Sequence, residues 1–514
     1  MGKKATKNVL VRGVAIVAVL QVVEQLTGLL SQTLLAAWFG ASAMTDAYLV
    51  GLTVVSLVTL WISHPIARVI VPMFRYDLTR EGEHVAWENA SVLLNNLTLL
   101  FLAVVAVGWI AAPALVGLVG MGFDAETAAV ATSVTRILLF GVVFTGAGLF
   151  LTQILLTQYR YVLPGSTGIV TNLIAAGGLV LLGSRFGILG VAVAIVAGNV
   201  AQLLMQLPVV WRNRHSYRWR IDFRHPGMKE LRELSIPVFI TAGSVEIDRI
   251  TDRLFASLLS AGSLSALAFA RLLARFPEKM LLHPFQKVTF PHFTTLVAED
   301  DFRALSRQLF QYVRLLIYIT IPAAVGMILL DDLIVRTVFK RGAFDDHAVR
   351  LTAQALALYA IGIPAAFVGR ALTNTFISLK DTRTPMRLSI QRIVVKIVLS
   401  AALLPGLGHA GIALAESLSH VVRTALLFVY LPERVRGDEL RGTLASFART
   451  VGAATLMGGA VWFLRDASEG RIADVLQLSC LIPLGVGVYL LIGWLSRQSE
   501  VEWIGRSLVA LTRK

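Results

Sequence analysis

Between Arg271 and Lys287 a group able to carry positive charge stands at every fourth position: Arg271, Arg275, Lys279, His283 and Lys287. Spacing of four holds such side chains on one slowly drifting stripe of a helix. At 1.5 Å per residue the stripe runs about 24 Å, most of the hydrocarbon depth of a bilayer. The surrounding segment, 263–297, is otherwise apolar and reads as one long helix. Charge at membrane depth is costly and normally faces a wet cavity or a partner, so it marks a path for substrate. A cationic ladder calls for an anionic cargo, and the guanidinium forks of Arg271 and Arg275 suit phosphate oxygens. A soluble amphipathic helix with a basic outer face is the competing reading, and the rest of the chain decides between them.

Hydrophobic residues make up 56% of the 514, charged residues only 15%, and the mean hydropathy is +0.71. Apolar runs of spanning length recur throughout, about fourteen in all. They lie near 8–38, 43–74, 86–113, 126–157, 163–183, 187–211, 231–259, 263–294, 305–330, 347–378, 384–404, 408–431, 443–464 and 473–496. The expected fold is an all-α polytopic membrane protein. No cleavable signal is expected, because the run after Lys3, Lys4 and Lys7 has no short apolar region ending in a small-residue cleavage site. The single Cys480 excludes an intrachain disulfide.

The net charge of +15 would suit nucleic acid, but its distribution argues otherwise, and no nucleic-acid partner is expected. Arg212, Arg214, Arg218, Arg220, Arg224, Lys229 and Arg232 fill one connection, and alternate connections collect most of the rest. Roughly 26 basic residues fall on one side of the expected membrane and roughly 6 on the other, the positive-inside pattern. Both termini are therefore expected in the cytoplasm, with the basic loops serving as topology signals and contacts for anionic lipid.

The chain repeats itself. His64-Pro65-x-x-Arg68-x-x-x-Pro72 matches His283-Pro284-x-x-Lys287-x-x-x-Pro291. At nearly the same offset Gly187, Gly190, Ala192 and Ala194 match Gly408, Gly411, Ala413 and Ala415, and Pro164 matches Pro385. Two copies of about six spans follow, an even number that keeps both copies in one orientation. Lobes are expected at 1–220 and 221–435, with two further helices and a tail at 436–514. Kinks are expected at Pro65, Pro72, Pro284 and Pro291, and close helix packing at the small-residue runs.

Other charges lie within expected spans: Glu24, Asp46, His64, Arg68, Glu88 and Arg136 in the first copy; Glu246, Asp248, Arg249, Asp252, Arg253, Arg370, Arg392, Lys396, Glu416 and Arg423 in the second. Asp248 and Asp252 share one helix face, as do Arg249 and Arg253. They form internal ion pairs or a cation or proton site that couples transport to a gradient. Arg68 and His64 join the ladder as candidate cargo contacts, with snorkelling open for Arg68 and Lys287, and packing or titration for His64 and His283. Asp46 and Glu24 are candidate gating or coupling residues, and N-capping is the alternative for Asp46. The acid pairs Asp300–Asp301, Asp331–Asp332 and Asp345–Asp346 sit beside spans and read as loop charges. The chain has no phosphate-cradling loop, Cys/His cluster or nucleophile elbow. No cofactor, metal or enzymatic chemistry is expected, which argues against a membrane-embedded transferase.

Several stretches resemble the MurJ/MviN family of lipid II flippases, in the multidrug/oligosaccharidyl-lipid/polysaccharide exporter superfamily. They are Phe39-Gly40-Ala41-Ser42 with Thr45-Asp46-Ala47-Tyr48; Leu254 to Ala266 with Phe276-Pro277 and Phe290-Pro291; Arg341-Gly342-Ala343-Phe344; and Leu379-Lys380-Asp381-Thr382-Arg383-Thr384-Pro385. The resemblance implies fourteen spans in two lobes, a central cationic cavity, and two terminal helices forming a groove for a lipid tail. It implies a bacterial inner-membrane flippase that carries an undecaprenyl-diphosphate-linked saccharide to the periplasmic leaflet by alternating access. It departs from the family at Gln25 and Ser31, where arginines are usual, and around Leu57 to Ser63. The cationic wall has moved to the second copy. The alternatives are a flippase for a lipid-linked exopolysaccharide or O-antigen unit, and a cation-coupled drug exporter. Coupling to the membrane potential, Na+ or H+ is expected; the glycan and the oligomeric state are left open.

Overall fold

The computed structural model describes residues 3–278, 283–436, 439–468 and 473–496, with 498 and 500. Among them there is no strand. A chain this apolar meets little water along its spans, so each backbone N–H and C=O must be satisfied within its own segment, and helices do this. In order they are α1 (Lys3–Phe39), α2 (Ala43–Arg80), α3 (Glu83–Val119), α4 (Ala125–Thr157), α5 (Val162–Arg212), α6 (Pro226–Ser257), α7 (Ser263–Ala274), α8 (His283–Ala298), α9 (Phe302–Leu329), α10 (Asp331–Phe339), α11 (Asp346–Ser378), α12 (Arg383–Leu407), α13 (His409–Tyr430), α14 (Glu433–Arg436), α15 (Glu439–Ser468) and α16 (Asp474–Leu495). Nine of the described helices are long and apolar enough to cross a membrane. With 37, 38 and 32 residues, α1, α2 and α6 also exceed the length that a crossing needs. All fourteen expected segments fall on a helix, on half of α5, or on the α7–α8 pair.

The duplication is written into the backbone. Asp124 caps α4 by accepting from Thr127 N at 3.0 Å, and Asp345 caps α11 by accepting from Ala348 N at 2.8 Å. These acids, and the first and last residues of the helices they cap, are all 221 positions apart. Tyr159 and Lys380, at the same separation, both hold positive φ, 58° and 62°. Gly187 (φ 58°, ψ −143°) and Gly408 (φ 55°, ψ −134°) share one conformation. Gly187 divides α5 into two helices, as Gly408 separates α12 from α13. At Gly190 a Cβ would collide with the carbonyl of Leu182, and at Gly411 with that of Leu403, again an equivalent pair. The small-residue runs are therefore more than packing surfaces: their leading glycines make the corners that join adjacent spans.

Two compact units emerge from the packing. The first comprises Met1–Ser265 with Arg341–Ala343, the second Ala266–Lys340 with Phe344–Lys514. In the first, α4 packs on α2, α3 and α5, α1 packs on α5, and α6 packs on α2 and α3. Its core includes Ile70, Phe74, Trp87, Phe101, Phe150 and Ile154. In the second, α11 packs on α9 and α13, α12 on α13, and α15 on α9 and α16. Phe310, Val313, Val349, Leu356, Phe376 and Ile412 are buried there.

One expectation is corrected here. Among the described residues the segment 263–297 is interrupted: α7 ends at Ala274 and a turn follows at Arg275, while residues 279–282 lie outside the described ones. Pro277 has no N–H to donate to the carbonyl of Leu273, and its ring crowds that carbonyl, so the helical ladder stops there.

The connection into α6 is built on α3. Asn96 donates to the carbonyl of Asp222 (2.7 Å) and accepts from its N–H (2.9 Å). His225 then caps α6, its Nδ1 accepting from Gly227 N at 3.2 Å, while Nε2 faces Asn89 Oδ1 at 3.4 Å. This network calls for neutral His225 with its proton on Nε2. Burial lowers its pKa from the ordinary 6.5, overcoming the acids Asp222 and Asp77.

A depressed pKa means the folded state binds fewer protons, so the contribution of His225 is complete above pH 6.5 and declines as pH falls. His225→Asn keeps a capping side chain, and should flatten that part of a profile of thermal midpoint against pH. Gly187→Ala and Gly408→Ala meet no atom within 4 Å, so only backbone strain, about 1–3 kcal/mol each, should lower the midpoint. Gly177→Ala, at an unobstructed helical site, should not lower it.

Candidate functional site

Two polar centres lie within the helical units. The first is the corner between α1 and α2. Ser42 caps α2, accepting from Thr45 N at 3.4 Å. The carboxylate of Asp46, one turn on, therefore serves another helix: Oδ2 accepts from Gly262 N and Oδ1 from Ser265 N, both at 2.7 Å. Asp46 is 3% exposed. A carboxylate at a helix N-terminus meets the free N–H groups and the positive end of the dipole together. Asp46 thus caps the start of α7, not its own helix. The same corner takes a third strand of chain. Ala343 N donates to Ala37 O at 2.8 Å. Gly40 (φ 61°) and Gly342 (φ 57°) lie so close to the carbonyls of Ala343 and Ala37 that a Cβ at either would collide. The Phe39–Ser42 and Arg341–Phe344 stretches, separate in sequence, dock backbone to backbone through Gly40 and Ala343.

The second centre belongs to α7, α11, α12 and α13. Arg271 of α7 is paired with the Glu416 carboxylate of α13. It also donates to Tyr359 OH at 3.1 Å, with its guanidinium carbon 5.2 Å from the ring centroid. Lys396 of α12, fully buried, places Nζ 3.5 Å from the same carboxylate. Arg275 and His420 lie within electrostatic reach of Glu416. Alongside, Arg370 pairs with Glu278, and Arg423 donates to Thr373 Oγ1 at 3.0 Å with Arg392 and Arg370 near it. Around the cations Arg271, Arg275, Arg370, Arg392, Lys396 and Arg423, Glu416 pairs with Arg271 and Lys396, and Glu278 with Arg370. These basic side chains gather on apolar helices, where charge normally faces a cavity or a partner.

Of the ladder, the structure places Arg271 and exposed Arg275 in this second centre. Lys279 lies outside the described residues, as do the side chains of His283, Lys287, His64 and Arg68. Glu416 matches Arg271, because α13 brings that carboxylate across in space. Glu24 is half-buried on α1, its backbone carbonyl accepting from Asn172 Nδ2 at 3.2 Å, and Gly168 leaves room for its carboxylate. On α6, Asp248 and Asp252 are buried, and Arg249 pairs with Glu246 at 3.2 Å. Glu246 also accepts from Ser56 Oγ at 3.0 Å. The loop acids are structural: Asp301 caps α9 through Ala304 N at 2.9 Å, Arg336 binds Asp332 at 2.5 Å, and Lys340 binds Asp346 at 2.7 Å. No cluster able to hold a metal ion occurs among the described residues.

Glu416, Lys396 and Tyr359 were missed as site residues, though the first two were visible as charges within spans. The sequence signal was one of spacing: Arg392 and Lys396 are one turn apart, and Glu416, His420 and Arg423 share one face of α13. Tyr359 carried no such signal. Glu416→Gln should lower stability by about 3–5 kcal/mol, because it leaves Lys396 buried without its carboxylate. Glu416→Gln with Lys396→Met should recover most of that loss. Thermal melts of purified protein in detergent check both.

A family model described as lipid II flippase MurJ matches residues 35–479. The lipid II flippase MurJ of Burkholderia cenocepacia is 26% identical over 460 residues, covering 88% of this chain and 89% of its own. A probable lipid II flippase MurJ of Thermotoga maritima is 26% identical over 490 residues, covering 94% and 96%. Among solved structures, a lipid II flippase MurJ in an inward closed conformation aligns with a TM-score of 0.78 at 19% identity, over 94% of this chain and 99% of that one. An inward-facing multidrug resistance MATE family transporter of the MOP superfamily aligns with a TM-score of 0.66 at 14% identity, over 84% and 98%. The fold is shared with both, and the family match runs through the corner at Asp46 and the cationic centre around Glu416: the chain belongs to the MurJ family of lipid II flippases.

Proposed function

We propose that this protein moves lipid II, an undecaprenyl-diphosphate-linked saccharide, from the cytoplasmic to the periplasmic leaflet of a bacterial inner membrane. It does so by alternating access between two duplicated lobes, 1–220 and 221–435, with the helices of 436–514 alongside and both termini in the cytoplasm. One observation carries the reading: the basic side chains of α7, α11, α12 and α13 that gather around Glu416 within apolar helices. A diphosphate is the anion such a cluster suits, since guanidinium forks bind its oxygens in pairs. Arg271 and Arg275 are the proposed contacts, with Lys279, His283, Lys287, Arg68 and His64 completing the path. Glu416 holds Arg271 in place, so cargo phosphate competes with a carboxylate for that guanidinium. A drug exporter for cationic compounds would need the reverse balance of charge.

The Asp46 clamp on α7 is proposed as a latch that must open during the cycle, with Glu24, Asp248 and Asp252 as further gating or coupling groups. The membrane potential, Na+ or H+ supplies the energy. A ligand moves such an equilibrium only through its different affinity for the two states, and binding at Arg271 bears on α7 at the end opposite Asp46.

Arg271→Ala leaves Glu416 paired with Lys396, and Arg275→Ala removes an exposed group, so both variants should fold and accumulate. Each should fail to sustain cells depleted of their own lipid II flippase, and Arg→Lys should restore only part of the activity because the fork is lost. Full complementation by the double alanine variant overturns the assignment. Wild-type protein that fails in these cells but restores export of a lipid-linked exopolysaccharide unit would move the cargo to that class. Asp46→Ser keeps a short capping side chain but loses the charge and the two-oxygen grip. Impaired transport at normal abundance is the expected result, and undiminished transport would reduce Asp46 to a cap.

A further inference from the structure

On the first unit, α3, α4 and the second half of α5 enclose a groove of about 1310 Å³. That exceeds the range of roughly 300–1,000 Å³ typical of pockets for small ligands. Its character changes along its length. One end is walled by Leu102, Phe144 and Leu204, and the other carries Asn95, Arg212 and Arg214, with Trp211 and Trp219 beside them. From Leu204 to Arg212 is about 12 Å of helix. Leu102 and Leu204 are more than half exposed, as side chains facing lipid would be, and the tryptophans stand where an apolar wall gives way to charge, their usual place at a membrane interface.

The charged end is held in position. The segment Arg214–Asp222 folds back over α3. Ser91 Oγ accepts from Arg218 N at 2.9 Å, Asn95 Nδ2 donates to Arg218 O at 2.8 Å, and Tyr217 OH donates to Asn95 Oδ1 at 2.5 Å. Two of its arginines already face carboxylates: Arg218 faces Glu88 at 3.3 Å, and Arg220 faces Asp222 at 3.0 Å. Arg212 and Arg214 have no carboxylate within pairing distance among the described residues; Arg214 instead lies over the Trp211 ring, 5.4 Å from its centroid, and donates to the Trp211 carbonyl at 3.3 Å. These two guanidiniums are left to face the groove mouth, on the side that the charge bias assigns to the cytoplasm. Basic pockets between spans on that side take anionic lipid headgroups.

We propose that this groove is a binding site for one anionic glycerophospholipid of the cytoplasmic leaflet. Its phosphate lies on Arg212 and Arg214, its acyl chains lie between α3, α4 and α5, and the site is distinct from the cationic centre on α7 and α11–α13. Charge complementarity selects the occupant: an apolar groove alone would take any lipid, and two guanidiniums without a carboxylate favour a net negative headgroup.

Purified full-length protein, delipidated in detergent, is titrated with phosphatidylglycerol or phosphatidylethanolamine and read by native mass spectrometry and thermal midpoint. The expected result is one retained phosphatidylglycerol that raises the midpoint, with phosphatidylethanolamine held roughly tenfold more weakly or worse. Arg212→Gln with Arg214→Gln should abolish that preference without changing the midpoint in lipid-free detergent, since both side chains are exposed. Leu102→Trp with Leu204→Trp, which fills the apolar end, should reduce retention of both lipids. The proposal fails if the two lipids bind alike, or if both double variants retain phosphatidylglycerol as the wild type does. It also fails if undecaprenyl phosphate displaces phosphatidylglycerol at equal concentration, because the groove would then belong to the cargo.

Discussion

A helix end or a charged side chain held away from water must find its partner inside the protein. Most of what distinguishes this chain from a set of apolar rods follows from that constraint. The start of α7 would present free N–H groups, and the carboxylate of Asp46 takes two of them. Lys396 has no exposure at all, and Glu416 answers it. In each case the partner comes from a different helix, so satisfying one polar group also fixes the position of two segments. These contacts carry little net stability compared with apolar packing, but breaking one side of them is expensive. That asymmetry suits a protein whose states must differ by discrete rearrangement.

The two copies of the repeat have kept their backbone geometry and diverged in charge. Corners at Gly187 and Gly408, caps at Asp124 and Asp345, and positive φ at Tyr159 and Lys380 recur at one separation. These are positions where backbone conformation or a free N–H limits the choice of residue, so they survive divergence. Side chains facing an interior are less constrained by the backbone, and there the copies differ. In the second copy, α12 carries Arg392 and Lys396, and α13 carries Glu416 and Arg423. The equivalent stretches of α5 carry Thr171 and Ala175, and Ile195 and Gln202. A duplicated frame with a one-sided charge distribution can give one half the task of holding an anion while the other half supplies matching mechanics.

The cationic centre and the lipid groove divide the basic residues into two sets. Those on α7 and α11–α13 lie along apolar helices next to carboxylates that orient them. Those at Arg212 and Arg214 lie at the end of a helix, beside tryptophans and a segment pinned to α3. Phosphate chemistry suits both, but the surroundings differ: one set lies beside carboxylates within apolar helices, the other beside aromatic rings at a helix end.

What the amino-acid sequence determined by itself is what depends on neighbours along the chain. Hydropathy over about twenty residues is a local sum, so the apolar segments that form the helices were legible with nearly correct limits, the one from Ser263 excepted. Internal similarity was legible for the same reason. The break after Ala274 could have been read from Pro277, yet the periodicity of four outweighed it. Tertiary structure decided the polar partnerships. Nothing near Asp46 in sequence indicates that its carboxylate will cap a helix beginning at Ser263, and nothing near Arg271 points to Glu416, 145 positions on. The docking of Gly342 against Ala37 is likewise set by packing across hundreds of residues. Spacing identifies which side chains share a face; only the folded arrangement of helices determines what that face meets.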